Sequence, residues 1–155
     1  ISTVSSPLNY ITYNRFIDGK VKAEIVNNES RGYKAMSVIE TLSGRVLDGY
    51  KSTERLPMAS TTKIMTAIIA IENTQDVNKK HMVPESSVGI EGSSMYLRKG
   101  EAFSVMELLY GLMLPSGNDA SVALSIIVSG SEENFVNKMN EKVKELGLKN
   151  TNFTT

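Results

Sequence analysis

The sequence of 155 residues has no cysteine and only one histidine. The lack of cysteine excludes a disulfide framework, a thiolate zinc site and a cysteine nucleophile. The histidine, His81, follows two lysines in a segment that we expect to be a charged, solvated loop. This placement argues against a Ser-His-Asp triad, so any serine nucleophile in this chain needs a different base.

The formal net charge is zero, because seventeen basic residues offset seventeen acidic ones. No cluster of arginine or lysine alternates with aromatic residues, so the electrostatic pattern of a nucleic-acid binder is absent and small or neutral partners are expected. The glycine-rich stretch 89–100 has neither the P-loop ending nor the dinucleotide-binding spacing, and we expect a structured loop there. No cofactor or metal is expected. The start at Ile1, without a leader, favours a trimmed or processed polypeptide.

Strand-like and helical patterns occupy different parts of the chain, which predicts an α+β fold with one core. Residues 1–32 contain two short strand-like runs, 8–13 and 21–25, and form a predicted hairpin or extended arm. A second hairpin is expected from 33–41 and 45–50. Helices follow, and we expect a buried helix behind an antiparallel sheet with a helical cluster alongside. The predicted helices are 57–71, 105–114, 120–128 and a last one after Ser131.

Helix ends are marked by several local signals. Ser104 and Glu107 have the spacing of a capping box, and Asn118-Asp119 is the predicted cap of the third helix, which stops at Gly130. Gly147 followed by Leu148 predicts a Schellman motif at the end of the last helix. The apolar face of that helix is predicted to contain Phe135, Met139, Val143 and Leu146.

The helix predicted from Pro57 to Ile71 has a polar first turn and an almost wholly apolar body. Ser60 and Lys63 are three residues apart and therefore share a face. Because the apolar body must be covered on most sides, burial should lower the pKa of Lys63, and a neutral lysine can accept the proton of Ser60. By itself, Ser-x-x-Lys arises by chance in about one such chain in two or three, as a cap and a solvated lysine.

A second motif, Ser116-Gly117-Asn118, begins 53 residues after Lys63. Alone it is explained by a turn and a helix cap, but the two motifs together have the type and order found in penicillin-binding proteins. The sequence from about 33 to 153 resembles the low-molecular-weight penicillin-binding proteins, which are serine D-alanyl-D-alanine carboxypeptidases of the SxxK acyltransferase superfamily. The resemblance rests on these two motifs and on the segments 57–66, 92–97, 108–114 and 116–120.

The resemblance implies a β-lactamase/transpeptidase-like fold and removal of the terminal D-alanine from peptidoglycan stem peptides by two-step acyl transfer. By the same resemblance Ser60 is the nucleophile, Lys63 the base and Ser116 a proton shuttle, while Asn118 binds the substrate backbone and helps to hold Lys63. The backbone N–H of Ser60 would be half of an oxyanion hole, and Ser60, Ser116 and Asn118 would contact substrate. Penicillins and other β-lactams would acylate the same serine.

Further expectations concern location and partners. The resemblance implies an extracytoplasmic protein of the bacterial cell envelope, whose partner is a stem peptide ending in D-Ala-D-Ala rather than nucleic acid. The third motif of the family, Lys-Thr-Gly, does not occur in these 155 residues. We therefore expect 33–155 to be the front part of a catalytic domain, inactive or very weak alone, completed by the rest of the same protein or by a second chain.

Two alternatives stay open at this stage. One is a class A-like β-lactamase, although that class has Ser-Asp-Asn as its second motif and Gly117 stands in the middle here. The other is a non-catalytic or incomplete fragment of the same fold that acts as a binding or structural module.

Overall fold

The computed structural model describes residues 13–17, 20–23 and 32–154. The chain divides into two compact units, Ile1–Glu54 and Arg55–Thr155, and each is described by itself. Most of the predicted strand 8–13 and the end of the predicted strand 21–25 lie outside the described residues. The proposed division into an arm of 1–32 and a catalytic part of 33–155 stays a prediction.

Two antiparallel hairpins make up the described part of the first unit. Strands β1 (Tyr13–Ile17) and β2 (Lys20–Ala23) pair with each other, and so do β3 (Met36–Ile39) and β4 (Val46–Tyr50). The turn of the second hairpin is closed by Glu40, whose carboxylate accepts the backbone N–H groups of Leu42 and Ser43 at 2.9 and 2.7 Å. The second predicted hairpin is thus confirmed, with shorter strands.

Four helices and one small hairpin form the second unit. The helices are α1 (Thr62–Glu72), α2 (Val105–Met113), α3 (Asn118–Ser129) and α4 (Glu132–Glu145). Strands β5 (Lys80–Met82) and β6 (Ala102–Ser104) pair between α1 and α2 in the sequence. His81 therefore lies on a strand and not in a charged loop, because residues 80–82 pair with a strand 20 to 24 positions later.

Helix α1 belongs to two apolar clusters. Its Ala70 packs with residues of α2 and α3, such as Leu108, Leu112 and Leu124, which are at most 1% exposed. Its Met65 and Ile69 pack with Phe135, Met139, Val143 and Phe153. The predicted cluster of helices is confirmed, and it fixes α1 from two sides.

The outer face of α1 departs from the prediction. Ile64, Ile68 and Ile71 are 52%, 37% and 54% exposed, so the helix is not covered on most sides. Their spacing puts them on one stripe, opposite the residues that pack on the other helices. The helix also starts later than predicted: residues 59–61 form a 3₁₀ turn, and α1 begins at Thr62. Packing of α1 behind the β3–β4 hairpin stays a prediction.

The predicted helix ends are mostly confirmed. Ser104 and Glu107 form the capping box, and Ser131 caps α4 by accepting the N–H of Asn134. Gly147 and Leu148 donate to the carbonyls of Lys144 and Val143, the two bonds of a Schellman motif. Leu146, however, is 55% exposed and does not belong to the buried face of α4, because the helix ends before it.

Among the described residues, no helix combines the length and the apolar character that crossing a membrane requires.

Candidate active site

Ser60 lies in the middle of the 3₁₀ turn that leads into α1, and its side chain is exposed. The turn is closed by Thr61, whose backbone N–H and hydroxyl both donate to the carbonyl of Met58, at 3.1 and 2.5 Å. Ala59 has a φ of +48°, a left-handed conformation that costs energy in a residue with a side chain. Such strain is often found at functional positions, and here it comes directly before the candidate nucleophile.

Lys63 is one turn further along and only partly exposed. Its Nζ atom donates to the carbonyl of Ser116 at 2.5 Å, to the hydroxyl of Ser116 at 3.0 Å and to the side-chain oxygen of Asn118 at 2.7 Å. Three acceptors use all three hydrogens of an ammonium group. Among the described residues no hydrogen bond joins Lys63 to the Ser60 hydroxyl.

The pKa of Lys63 is lowered from its usual value near 10.5. Burial is the main cause, since it disfavours the charged ammonium, and the negative charge of Asp119 works in the opposite direction and partly restores the pKa. The amine is therefore more easily deprotonated than a surface lysine. A lysine that loses its proton here gains a lone pair that can accept a proton from a neighbouring hydroxyl.

Ser116 lies at the corner between α2 and α3, after Pro115 has ended the preceding helix. Its φ of +60° is left-handed, and this conformation goes with a carbonyl and a hydroxyl that both bond Lys63. The corner is closed by the N–H of Gly117, which donates to the carbonyl of Gly111 in α2 at 2.9 Å. The backbone of α2 thus positions the acceptors of Lys63.

Asn118 is the first residue of α3 and does not cap it. The N-cap position belongs to Gly117, which has no side-chain cap, so the predicted Asn118-Asp119 cap is wrong. The Asn118 amide is used elsewhere: its oxygen accepts from Lys63, and its nitrogen donates to the carbonyl of Glu91 at 2.9 Å. Because each end of the amide has a partner of the correct type, the oxygen faces Lys63.

Asp119 is 1% exposed and accepts four hydrogen bonds. Its donors are the hydroxyl of Ser94 at 2.6 Å and the N–H groups of Met95, Leu97 and Ala120 at 3.0, 3.0 and 2.8 Å. Burial by itself would raise the pKa of this carboxyl, but the bonds from these donors outweigh burial and leave the pKa lowered. The group is an ionised carboxylate enclosed by the loop before β6.

Two glycines allow the close approach of these segments. A Cβ at Gly117 would lie 2.8 Å from both the carbonyl oxygen of Gly111 and the Asp119 carboxylate. A Cβ at Gly92 would lie 2.7 Å from the amide nitrogen of Asn118, and Gly92 has a φ of +93°. A side chain at Gly117 would overlap the backbone of α2, and one at Gly92 would overlap the Asn118 amide and would have to adopt a left-handed backbone conformation.

The sequence selected Ser60, Lys63, Ser116 and Asn118, and the structure brings the last three into direct contact, with Ser60 one turn before Lys63. Their catalytic roles stay a proposal. Sequence reasoning missed Asp119 and Gly92. An available signal was that Asp119 is spaced with Ala123 and Ile127 on the apolar face of α3, where an acidic side chain needs a specific partner. Within the described residues, no group of three or more His, Cys, Asp or Glu side chains could hold a metal ion.

A partly buried amine held between a serine and an asparagine, one turn after an exposed serine, is the arrangement expected of a serine acyl-transfer enzyme. Comparisons with known proteins agree with this class. The family model for D-alanyl-D-alanine carboxypeptidases of the Peptidase_S11 type matches residues 22–155. The chain belongs to this family.

Individual relatives extend the match. The chain is 44% identical to the D-alanyl-D-alanine carboxypeptidase DacF of Bacillus subtilis over 140 residues, covering 88% of this chain and 35% of that protein. Among solved structures, penicillin binding protein 5 of Haemophilus influenzae is 36% identical with a TM-score of 0.68, over 78% of this chain and 36% of that one. The carboxypeptidase DacD of Francisella tularensis is 28% identical with a TM-score of 0.75, over 92% of this chain and 36% of that one.

These matches confirm the predicted α+β fold of the penicillin-binding, transpeptidase-like type. The chain spans about a third of the length of these relatives.

Proposed function

We propose that this protein is a serine acyl-transfer hydrolase that removes the terminal D-alanine from peptidoglycan stem peptides. The observation that carries the proposal is the position of Lys63, whose amine is partly buried, has a lowered pKa and is held between Ser116 and Asn118 one turn after Ser60. The family match to carboxypeptidases and the carboxypeptidase names of the relatives supply the substrate class.

The first chemical step is acylation. Ser60 attacks the carbonyl carbon between the two D-alanines, and its proton passes to neutral Lys63. The carbon–nitrogen bond then breaks, and the proton reaches the leaving D-alanine amine through the hydroxyl of Ser116, which already contacts Lys63. The backbone N–H of Ser60 stabilises the negative oxygen of the tetrahedral intermediate.

The second step is hydrolysis of the acyl-enzyme. Water attacks the ester carbonyl while neutral Lys63 takes one of its protons. The bond between the carbonyl carbon and the Ser60 oxygen then breaks, Lys63 returns the proton to that oxygen, and the shortened peptide leaves. Asn118 has two tasks in this scheme. Its amide oxygen orients Lys63, and its amide nitrogen holds the neighbouring loop by donating to the carbonyl of Glu91. β-Lactams, which mimic D-Ala-D-Ala, acylate Ser60 by the same first step.

The structure supplies a physical argument against the β-lactamase alternative. That class has an aspartate in the middle of its second motif, whereas a Cβ at Gly117 would already overlap the carbonyl of Gly111 and the Asp119 carboxylate. An aspartate at this position would require the atoms of the corner to shift. The carboxypeptidase function is therefore the better match to this corner.

The proposed substrate also implies a location. Peptidoglycan lies outside the bacterial cytoplasmic membrane, so we place the activity on the extracytoplasmic side, with stem peptides and β-lactams as partners.

The test is covalent labelling of the protein as its cell produces it. Incubation with benzylpenicillin should add the mass of one molecule, and peptide mapping should locate the adduct on Ser60. Ser60→Ala should abolish the adduct with little change in the thermal unfolding midpoint, because this side chain is exposed and no described residue bonds its hydroxyl. Unlabelled protein should release D-alanine from a peptide ending in D-Ala-D-Ala, and penicillin-labelled protein should release less. A native protein without an adduct at Ser60 would instead support the non-catalytic module.

A further inference from the structure

Asp119 stands apart from the motif residues, because it is the most completely buried charged group near Lys63 and no step of the mechanism uses it. Its two carboxylate oxygens accept hydrogen bonds from the loop 94–97 and from the first turn of α3. One oxygen accepts from Met95 and from its own neighbour Ala120, and the other accepts from Ser94 and Leu97. Three of the four donors belong to the loop 94–97.

The loop that Asp119 binds is the one that holds Asn118. The carbonyl of Ser93 accepts the backbone N–H of Asn118 at 2.7 Å, and the carbonyl of Glu91 accepts its side-chain nitrogen. Asn118 in turn bonds Lys63. A continuous series of bonds therefore runs from Asp119 through the loop to Asn118 and the amine, in addition to the direct peptide link between residues 118 and 119.

Packing strengthens this series. Leu97 is 4% exposed and belongs to the main apolar cluster, so the far end of the loop is anchored in the core. The Met95 side chain lies so close to Gly111 that a Cβ there would overlap its sulfur. The loop consequently has few alternative positions as long as Asp119 holds its backbone.

Charge links the same residues. The field of Asp119 raises the pKa of Lys63 against the effect of burial. Other charged groups on the elements around α1 have partners of their own: Glu107 of α2 pairs with Lys80, and Lys142 of α4 pairs with Glu72 and Glu145. Glu91 lies in the adjoining loop, and α4 also has Glu132, Glu133, Lys138, Glu141 and Lys144.

We infer that Asp119 is a positioning residue for Lys63: its carboxylate holds the loop 91–97 and the Ser116–Asn118 corner in place around the amine. The inference rests on the proposed function. It assigns a task to a carboxylate that the sequence predicted, wrongly, to be part of a helix cap.

The decisive variant is Asp119→Asn, which keeps the size of the side chain and removes its charge. An amide has one oxygen, so its NH₂ group must face N–H or O–H donors, and the loop should loosen. We expect acylation by benzylpenicillin to slow by about 10- to 100-fold, as small misplacements near a reacting group do. The acid limb of the pH–rate profile should also move to lower pH, because Lys63 loses the charge that raised its pKa.

Glu107→Gln is the matched control. Glu107 is also a carboxylate that accepts bonds from a serine hydroxyl and a backbone N–H, but it serves the start of α2. This variant should leave the acylation rate and the pH profile unchanged. A folded Asp119→Asn protein with the wild-type rate and profile would overturn the inference, and so would a uniform slowing without a shift of the acid limb, which indicates a structural role only.

Two further measurements keep the test decisive. If Asp119→Asn does not fold, Ser94→Ala removes one of the four bonds and should slow acylation several-fold without moving the pH profile; a wild-type rate in that variant overturns the inference. NMR titration of the Lys63 Nζ group in the wild type and in Asp119→Asn does not depend on activity. If the Lys63 pKa is the same in both proteins, this inference fails. If the wild-type protein forms no penicillin adduct, the proposed function fails instead.

Discussion

The turn that carries Ser60 and the corner that carries Ser116 and Asn118 are built differently. The turn is closed by short-range bonds from Thr61 to Met58, and the Ser60 hydroxyl is exposed. The corner has a short-range bond, from Gly117 to Gly111, but it is also held by bonds between residues 22 to 55 positions apart in sequence, among them those from Leu97 to Asp119 and from Lys63 to Asn118. The candidate nucleophile is open to an incoming molecule, whereas the candidate base is held by several segments.

This difference fits the division of tasks in acyl transfer. A nucleophile must reach a substrate, so little can be packed on it, while a base must keep one distance and one proton affinity, which requires fixed neighbours. The comparison predicts that changes at Lys63 or at the corner alter the reaction more than changes in local structure elsewhere.

The largest effect is expected from Lys63→Arg. A guanidinium group stays protonated, so it cannot take the proton of Ser60, and acylation by benzylpenicillin should fall by about 10²- to 10⁴-fold. Stopped-flow fluorescence with a labelled penicillin measures the rate. Lys138→Arg is a matched control, because Lys138 also donates to an asparagine oxygen, that of Asn73 at 2.9 Å, but on the exposed surface. Normal acylation by Lys63→Arg would remove lysine from the role of base.

An intermediate effect is expected from Gly117→Ala, which adds a methyl group inside the corner between α2 and α3. The added Cβ would lie 2.8 Å from the carbonyl oxygen of Gly111, so backbone must move, and overpacking of this kind costs about 1–3 kcal/mol of unfolding free energy. Acylation should slow by about 10-fold or more, since the acceptors of Lys63 shift with the corner. Chemical denaturation and labelling measure the two effects.

Gly32→Ala is the control for that experiment, because no atom of the described residues lies within 4 Å of its added Cβ. It should change neither quantity by a measurable amount. If Gly117→Ala matched Gly32→Ala, the close contact between α2 and α3 at this corner would have no part in holding the amine.

The smallest effect is expected from Glu107→Gln, whose role is local. Hydrogen bonds from Lys80 and then from Ser104 lower the pKa of Glu107 from about 4.5 to about 2. The lowered pKa means that the carboxylate stabilises the fold above about pH 4.5 and that this contribution is lost as the pH falls towards 2. The variant should have a slightly lower unfolding midpoint at pH 7, equal to the wild type near pH 2, which scans of Tm against pH can measure. A large loss of acylation in this variant would contradict the prediction that changes at Lys63 or at the corner alter the reaction more than changes in local structure elsewhere.

Much of the local structure could be predicted from the sequence. The capping box of Ser104 and Glu107, the stop at Gly130 and the Schellman motif at Gly147 each depend on groups within a few positions of one another, and each is confirmed. The second hairpin is confirmed for the same reason. The motif residues Lys63, Ser116 and Asn118 were also selected from residue type and order, although their roles stay predictions.

Other features depended on partners far along the chain. Asn118 and Asp119 have the residue types of helix caps, but their side chains bond Lys63, Glu91 and the loop 94–97, because these partners lie within reach and the N-cap position falls on Gly117. His81 lies on a strand because its segment pairs with the distant strand β6. A local preference of about 1 kcal/mol, typical of a cap, is easily outweighed by several bonds to a buried group.

By itself, the sequence determined where helices and turns begin and end and which residues have the chemistry for acyl transfer, because capping, turn formation and side-chain reactivity depend on a few neighbouring atoms. Only the tertiary structure decided that the outer stripe of α1, which includes Ile64, is exposed, that Gly117 has no room for a side chain, and that the loop 94–97 encloses the Asp119 carboxylate near Lys63. These properties depend on which distant segments meet, and that is determined by the packing of the four helices as a whole.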